Sequence, residues 1–238
     1  MILPATSSAS FTAARIGAIR HGGSLNERDR NVHAVIFDID GTLLHSAAVD
    51  DALYREAVRR VLGEVQLRPS LHAYDYVTDT GVLSQILADN QIPAEQEPFH
   101  EIKSHFVDLL RGHVAEHGPF AEIPGASDLL NSLRASATHA VAIATGGWLE
   151  SAELKLQSAG LDYANFPLAT SNDHHERTSI MELALARLDN HFDSVTYYGD
   201  GPWDRQACVH LGWQFVAVGP ELGGLTSYEG HFPNGSWG

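Results

Sequence analysis

Cysteine, lysine and positive charge are all scarce in this chain. Its 238 residues include one cysteine, Cys208, which excludes an internal disulfide framework and suits a reducing compartment such as the cytoplasm. The only lysines are Lys103 and Lys155, and 15 basic residues face 30 acidic ones, for a net charge of −15. Nucleic acid is therefore not an expected partner, because its phosphates would be repelled without a basic face. Long apolar runs are missing too: nothing approaches the ~18 consecutive apolar residues of a membrane span. An anionic small molecule meets the same unfavourable field, but salt screens that field beyond about 8 Å, so cations inside a site decide binding.

What is present is a chain whose 44% hydrophobic content supplies an ample core, long enough for one large domain or a core with a smaller insertion. Residues 1–31 stand apart: Ser, Ala, Thr and Gly dominate, with Arg15 and Arg20 and no acid before Glu27. They read as a flexible tail, with an organellar transit peptide as the other reading. The most informative stretch follows, Val35-Ile36-Phe37-Asp38-Ile39-Asp40-Gly41-Thr42-Leu43-Leu44. An apolar run of this kind predicts a strand buried on both faces, as in parallel α/β sheets. Asp38 and Asp40, two apart, can project to one side of the strand end. Gly41 and Thr42 let the chain turn while offering amide and hydroxyl donors. Ligands of open α/β sheets bind beyond the strand carboxyl ends, and two acids placed there repel unless a cation or proton separates them.

Asp38-Ile39-Asp40-Gly41-Thr42-Leu43 resembles the first motif of the haloacid dehalogenase-like superfamily, Asp-x-Asp-Gly-Thr-Leu, at every position. The resemblance implies that Asp38 is a nucleophile forming an aspartyl-phosphate and Asp40 the general acid/base. After Leu44 the apolar spacing turns helical. Segments 47–63, 79–90 and 95–117 each predict a helix, with no convincing strand between about 46 and 122. This block sits where the superfamily places its helical C1 caps, so the expectation is a cap at 47–119 inserted into a core of 32–46 and 120–238, with linkers near 45–48 and 119–124. Thr78, Asp79 and Thr80 could reach the mouth of a site, although a helix N-cap explains them equally well.

Strand and helix alternate again from Ile123. The strand 139–145 ends in Thr145-Gly146-Gly147, where the superfamily's second motif supplies a hydroxyl and close amides for phosphate. Trp148 could line the entrance, but packing is the simpler role. The third element should be a cation before a helix, usually Lys. Here Ser171-Asn172-Asp173-His174-His175-Glu176-Arg177 offers only Arg177, whose planar fork differs from a lysine's point charge. Lys155 is the alternative, and the adjacent His174 and His175 read as solvated rather than metal-binding. Last, a strand at 195–198 runs into Gly199-Asp200-Gly201-Pro202-Trp203-Asp204, matching the family's final motif of two acids four apart.

Over about residues 32–219 the resemblance implies an α/β, Rossmann-like parallel sheet of order 5-4-1-2-3 with an inserted helical cap, in the phosphoglycolate phosphatase and β-phosphoglucomutase-like branch. It implies Mg²⁺ held by Asp38, Asp200 and the backbone carbonyl of Asp40, with Asp204 a further ligand or an orienter of bound water. Phosphate would be held by Gly41, Thr42, Thr145, Gly146 and Arg177. The expected activity is a Mg²⁺-dependent phosphohydrolase acting on a small phosphorylated metabolite. Asp40 argues against the dehalogenase and phosphonatase branches, the latter using a cap lysine such as Lys103 could be. A phosphosugar mutase shares all four motifs, and a catalytically silent phospholigand-binding protein is the reading from another class. Nothing in the sequence speaks to oligomeric state.

Overall fold

The computed structural model describes residues 32–94 and 96–233; the expected tail at 1–31 lies outside them. Five strands form one parallel sheet: β1 (His33–Phe37), β2 (His139–Ala144), β3 (Leu168–Ala169), β4 (Ser194–Gly199) and β5 (Gln214–Ala217). Their order, β3-β2-β1-β4-β5, is the expected 5-4-1-2-3 read from the opposite edge. β1 lies at the centre because its residues pack on both faces. Val35 and Phe37 enter one core layer and Ile36 the other, the two-residue period dividing the strand between them. β2 and β4 divide likewise, with Ile143 and Tyr198 on the first side and Ala144 and Tyr197 on the second.

The second layer is closed by α6 (Arg177–Ala186), through Ile180, Met181 and Ala184, and by α7 (Pro202–Leu211), through Ala207 and Cys208. The first layer is larger, because it continues into the helices between β1 and β2: α1 (Ala47–Leu62), α2 (Asp79–Asp89) and α3 (Gln96–His117), with a 3₁₀ turn at Leu71–Ala73. Two more helices, α4 (Ala126–Ala135) and α5 (Leu149–Ser158), flank β2. Helix α1 packs along α3, and their inward Tyr54 and Phe106 meet edge to face at 5.6 Å. Both rings also lie against Trp148, at 5.5 and 6.1 Å, so this nearly fully buried indole joins α1 and α3 to the end of β2.

The chain enters and leaves the run of helices after β1 along paired backbone. His45 N–H donates to Ala121 O and Ile123 N–H to Leu43 O, both at 2.9 Å. A second seam docks residues 77–79 onto the loops after β2 and β3. Asp79 N–H donates to Gly146 O at 2.8 Å, and Thr78 Oγ1 donates to His175 O at 2.7 Å. Thr78 also accepts from Gly81 N–H, capping α2, an interaction worth about 1 kcal/mol.

Candidate active site

The sheet gathers its acids by register. β1 pairs with β4 so that Phe37 lies opposite Tyr198, and Asp38 N–H extends the ladder by one bond to Tyr198 O at 3.0 Å. Asp38 therefore emerges beside Gly199 and Asp200. Gly41 (φ +74°) turns the chain so tightly that a Cβ there would stand 2.0 Å from Asp200 Oδ2, so only glycine leaves the second acid its place. Asp204 sits in the first turn of α7, fully buried, its Oδ2 accepting from Gly201 N–H at 3.2 Å. One carboxylate oxygen each from Asp38, Asp200 and Asp204 lies within 4.8 Å of the others.

Burial is the dominant influence on this trio. It pushes Asp38 up to about 7 against the attraction of Arg177, with Asp204 and Asp40 adding repulsion. Asp200 is pushed up to about 8 by burial together with repulsion from Asp38 and Asp204. Asp204 is raised by burial as well, with Arg177 opposing. Three carboxylates held this close want protons or a cation. Asp204 Oδ1 is a buried oxygen with no hydrogen-bond partner, its nearest opposite charge being Arg177 Nη1 at 3.4 Å. An all-oxygen, all-carboxylate donor set of this kind fits a hard divalent cation.

The two cations weighed in the sequence take different acids. Arg177, the first residue of α6, points Nη1 at Asp38 Oδ1 (3.5 Å) and at Asp204, while Nη2 donates to Val77 O at 3.0 Å. Gly146 leaves room for it: a Cβ there would meet Arg177 Nη2 at 2.7 Å. Lys155, fully buried on α5, pairs with Asp40, contacting Oδ1 at 2.8 Å and Oδ2 at 2.6 Å. Ser46 Oγ donates to Asp40 Oδ1 at 2.5 Å. Lys155 also holds Asp50 Oδ1 at 2.5 Å, so one ammonium serves two carboxylates. Burial pulls Lys155 downward, but Asp40 and Asp50 outweigh it and keep the ammonium well above its usual range. Asp50 is pushed up to about 7, by burial first and by repulsion from Asp40 next, with Lys155 opposing.

These groups floor a cavity of about 640 Å³ whose wall includes Asp38, Asp40, Thr145, Gly146, Arg177 and Asp200. Residues of α1 and α2 roof it, Asp50, Tyr54 and Asp79 among them. Thr145 is buried at the end of β2, its Oγ1 accepting from Gly147 N–H at 3.2 Å. Gly41 and Thr42 lie in the turn behind the two acids, off the cavity wall. Thr42 is fully buried and its carbonyl accepts from Tyr228 OH at 2.9 Å. His174 and His175 stack on each other at 4.7 Å, and neither joins the acidic cluster.

Sequence reasoning did not find Ser46 or Asp50; of Thr78, Asp79 and Thr80, expected to be able to reach the mouth, Thr78 and Asp79 line the cavity. Asp50 and Asp79 occupy the first turns of α1 and α2, where acids are ordinary partners of the helix dipole. The available signal was weak: in a chain with two lysines, one falls on the buried stripe of α5.

A family model described as haloacid dehalogenase-like hydrolase matches residues 32–212. No curated protein matches the chain. Among solved structures, a hydrolase from Pseudomonas syringae is 21% identical, covers 77% of this chain and 83% of its own, and superposes with a TM-score of 0.63. CbbY from Rhodobacter sphaeroides, solved in complex with phosphate, is 18% identical over 86% of this chain and 92% of its own, with a TM-score of 0.62. A variant of that protein, in complex with xylulose-(1,5)-bisphosphate, gives 17%, the same coverage and 0.62. At these identities the likeness is one of fold.

Proposed function

The chain belongs to the haloacid dehalogenase-like hydrolases, and on that premise we propose that it is a Mg²⁺-dependent phosphohydrolase of small phosphorylated metabolites, working through an aspartyl-phosphate on Asp38. The observation that carries this reading is the separation of roles between the two first-motif acids. Asp38 shares its buried pocket with Asp200, Asp204 and Arg177, whereas Asp40 has an ion pair of its own with Lys155. A phosphate-bound structure of the same fold lends further support.

Asp38 attacks phosphorus in line, forming a P–O bond to its carboxylate as the ester P–O bond breaks. Asp40 gives its proton to the departing alkoxide oxygen, then takes one from the water that attacks the aspartyl-phosphate, releasing inorganic phosphate. Arg177 and Thr145 hold the phosphoryl oxygens, with the backbone near Gly146, whereas the amides of Gly41 and Thr42 donate to Leu44 O and Ile39 O in the turn. Mg²⁺, held by Asp38, Asp200, Asp204 and the Asp40 carbonyl, would supply the positive charge that offsets phosphate and keeps Asp38 ionised. The helices of 47–119 act as a cap that excludes bulk water and selects the substrate.

The cytoplasm suits a protein whose single cysteine is a buried thiol, and no helix among the described residues is long and apolar enough to cross a membrane. Hydrolysis of an aryl phosphate with and without Mg²⁺ tests the proposal. Activity that needs Mg²⁺ and disappears in Asp38→Asn supports it; no hydrolysis and no phosphoenzyme favours a silent phosphoryl-binding protein.

A further inference from the structure

Beyond the phosphate subsite, the cavity wall is acidic and its basic groups are already engaged. Arg55 gives Nε to both oxygens of Asp51 at 2.9 Å and Nη1 to Arg68 O at 3.2 Å. His72 Nε2 lies 3.1 Å from Glu221. Lys155 is shared between Asp40 and Asp50, and Arg177 is needed at the phosphate. Facing the same space are Asp50 and Asp79. Asp50 offers Lys155 only its Oδ1, and Asp79 gives Oδ2 to Trp148 N–H at 2.8 Å. Among the described residues, no hydrogen bond takes the second oxygen of either carboxylate.

Resting on the phosphohydrolase reading, we propose that the substrate is a monophosphate ester whose leaving group presents hydroxyl or ammonium donors and carries no second anionic group. A carboxylate or a second phosphate would be brought against Asp50 and Asp79 with no uncommitted cation on the wall among the described residues. A second anion left without a counter-charge is strongly discriminated against on a wall this acidic, where burial already pushes Asp50 up to about 7 and Asp79 well above the usual carboxylate range. Hydroxyls and ammonium groups instead find carboxyl acceptors, and an ammonium favours their ionised, more strongly accepting form. Phosphoglycolate and sugar bisphosphates are thus disfavoured, and amino-sugar or neutral sugar monophosphates are favoured.

The test compares kcat/KM, in Mg²⁺, for a hexosamine monophosphate, the matching hexose monophosphate, phosphoglycolate, a hexose bisphosphate and an aryl phosphate. Both monophosphates of sugars should exceed both doubly anionic esters by roughly 10-fold or more. Asp79→Asn keeps an acceptor for Trp148 N–H but cannot ionise, and should narrow that gap severalfold at high pH, where Asp79 sheds the proton that burial favours, and less at low pH. Asp51→Asn releases Arg55 from its half-exposed partner and should narrow it too, by the opposite route. Phosphoglycolate or the bisphosphate turning over as well as the hexose monophosphate, with the aryl phosphate hydrolysed, overturns this inference and leaves the phosphohydrolase reading standing. A wild-type gap that neither variant narrows also overturns it. Failure to hydrolyse any ester overturns the reading and this inference together.

Discussion

Replacing Lys155 by Met isolates the contribution of the buried ammonium. Methionine is similarly long and unbranched, so the apolar stem keeps its packing while the charge is lost. Two carboxylates then face each other. Oxygens of Asp40 and Asp50 each lie within 2.8 Å of the same nitrogen. They are therefore at most roughly 5.5 Å apart, where an effective dielectric of about 20 gives roughly 3 kcal/mol of repulsion. Breaking a buried ion pair from one side typically costs about 3–5 kcal/mol, and the lower end applies here because both carboxylates keep some exposure, 17% and 15%. For a chain of this size that is a Tm lower by about 6–12 °C. Thermal unfolding followed by circular dichroism should show this loss in Lys155→Met and recover about half of it in Lys155→Met/Asp50→Asn. The pH dependence has a definite sign. Asp50 stands above its unfolded value already and rises further without Lys155, so its penalty is absent at low pH and grows as pH climbs through its folded pKa. The deficit should therefore be smaller near pH 5.5 than near pH 8. A Tm change under about 2 °C, or no rescue by Asp50→Asn, would refute the charge-sharing argument.

Arg177→Lys keeps a cation but loses the fork that spans Asp38 and Val77, and should lower kcat/KM by roughly 10-fold, against roughly 10²–10³-fold for Arg177→Met. Equal losses would mean that only geometry, not charge, matters there. Gly41→Ala drives a Cβ into Asp200 and should raise the Mg²⁺ concentration for half-maximal activity by about 10-fold or more, which a metal titration reads directly. In metal-free protein, Asp38 and Asp200 hold protons to about 7 and about 8, well above their unfolded values. The folded state therefore binds the extra protons, and metal-free stability falls as pH rises from about 5 to about 8. Saturating Mg²⁺ should then raise Tm more near pH 8 than near pH 6, and an inverted order would contradict the assignment of these acids to a cation.

The sheet was legible because its central strands carry unambiguous local signals. Val35, Ile36 and Phe37 cannot satisfy a half-exposed strand, and the three helical periods after Leu44 leave no strand between them. Strand ends were less so: β3 pairs only over Leu168–Ala169, an edge strand that gains hydrogen bonds from β2 alone. Order came from the family, because period and spacing do not reveal which strands are neighbours. In the site, Asp38, Asp200 and Asp204 were readable since short motifs at strand ends fix them. Lys155 meets Asp40 across 115 positions of sequence, and such a contact is created by tertiary packing. Asp50 was hidden by its own ordinariness, as an acid in a first helical turn, whereas Asp79 was legible as a residue near the mouth but not separable from an N-cap. Tyr228, from beyond the matched region, supports the motif loop through Thr42 for reasons no local pattern encodes.

The most direct measurement is the phosphorylation state of Asp38 during turnover. Rapid acid quenching of wild type and of Asp40→Asn with a sugar monophosphate and Mg²⁺, followed by peptide mass spectrometry, should find one phosphoryl group on the peptide carrying Asp38. It should persist longer in Asp40→Asn, where the base that activates water is lost. Ester hydrolysed at full rate with no phosphoryl group ever on that peptide, or undiminished in Asp38→Asn, would show that phosphorus never bonds this carboxylate.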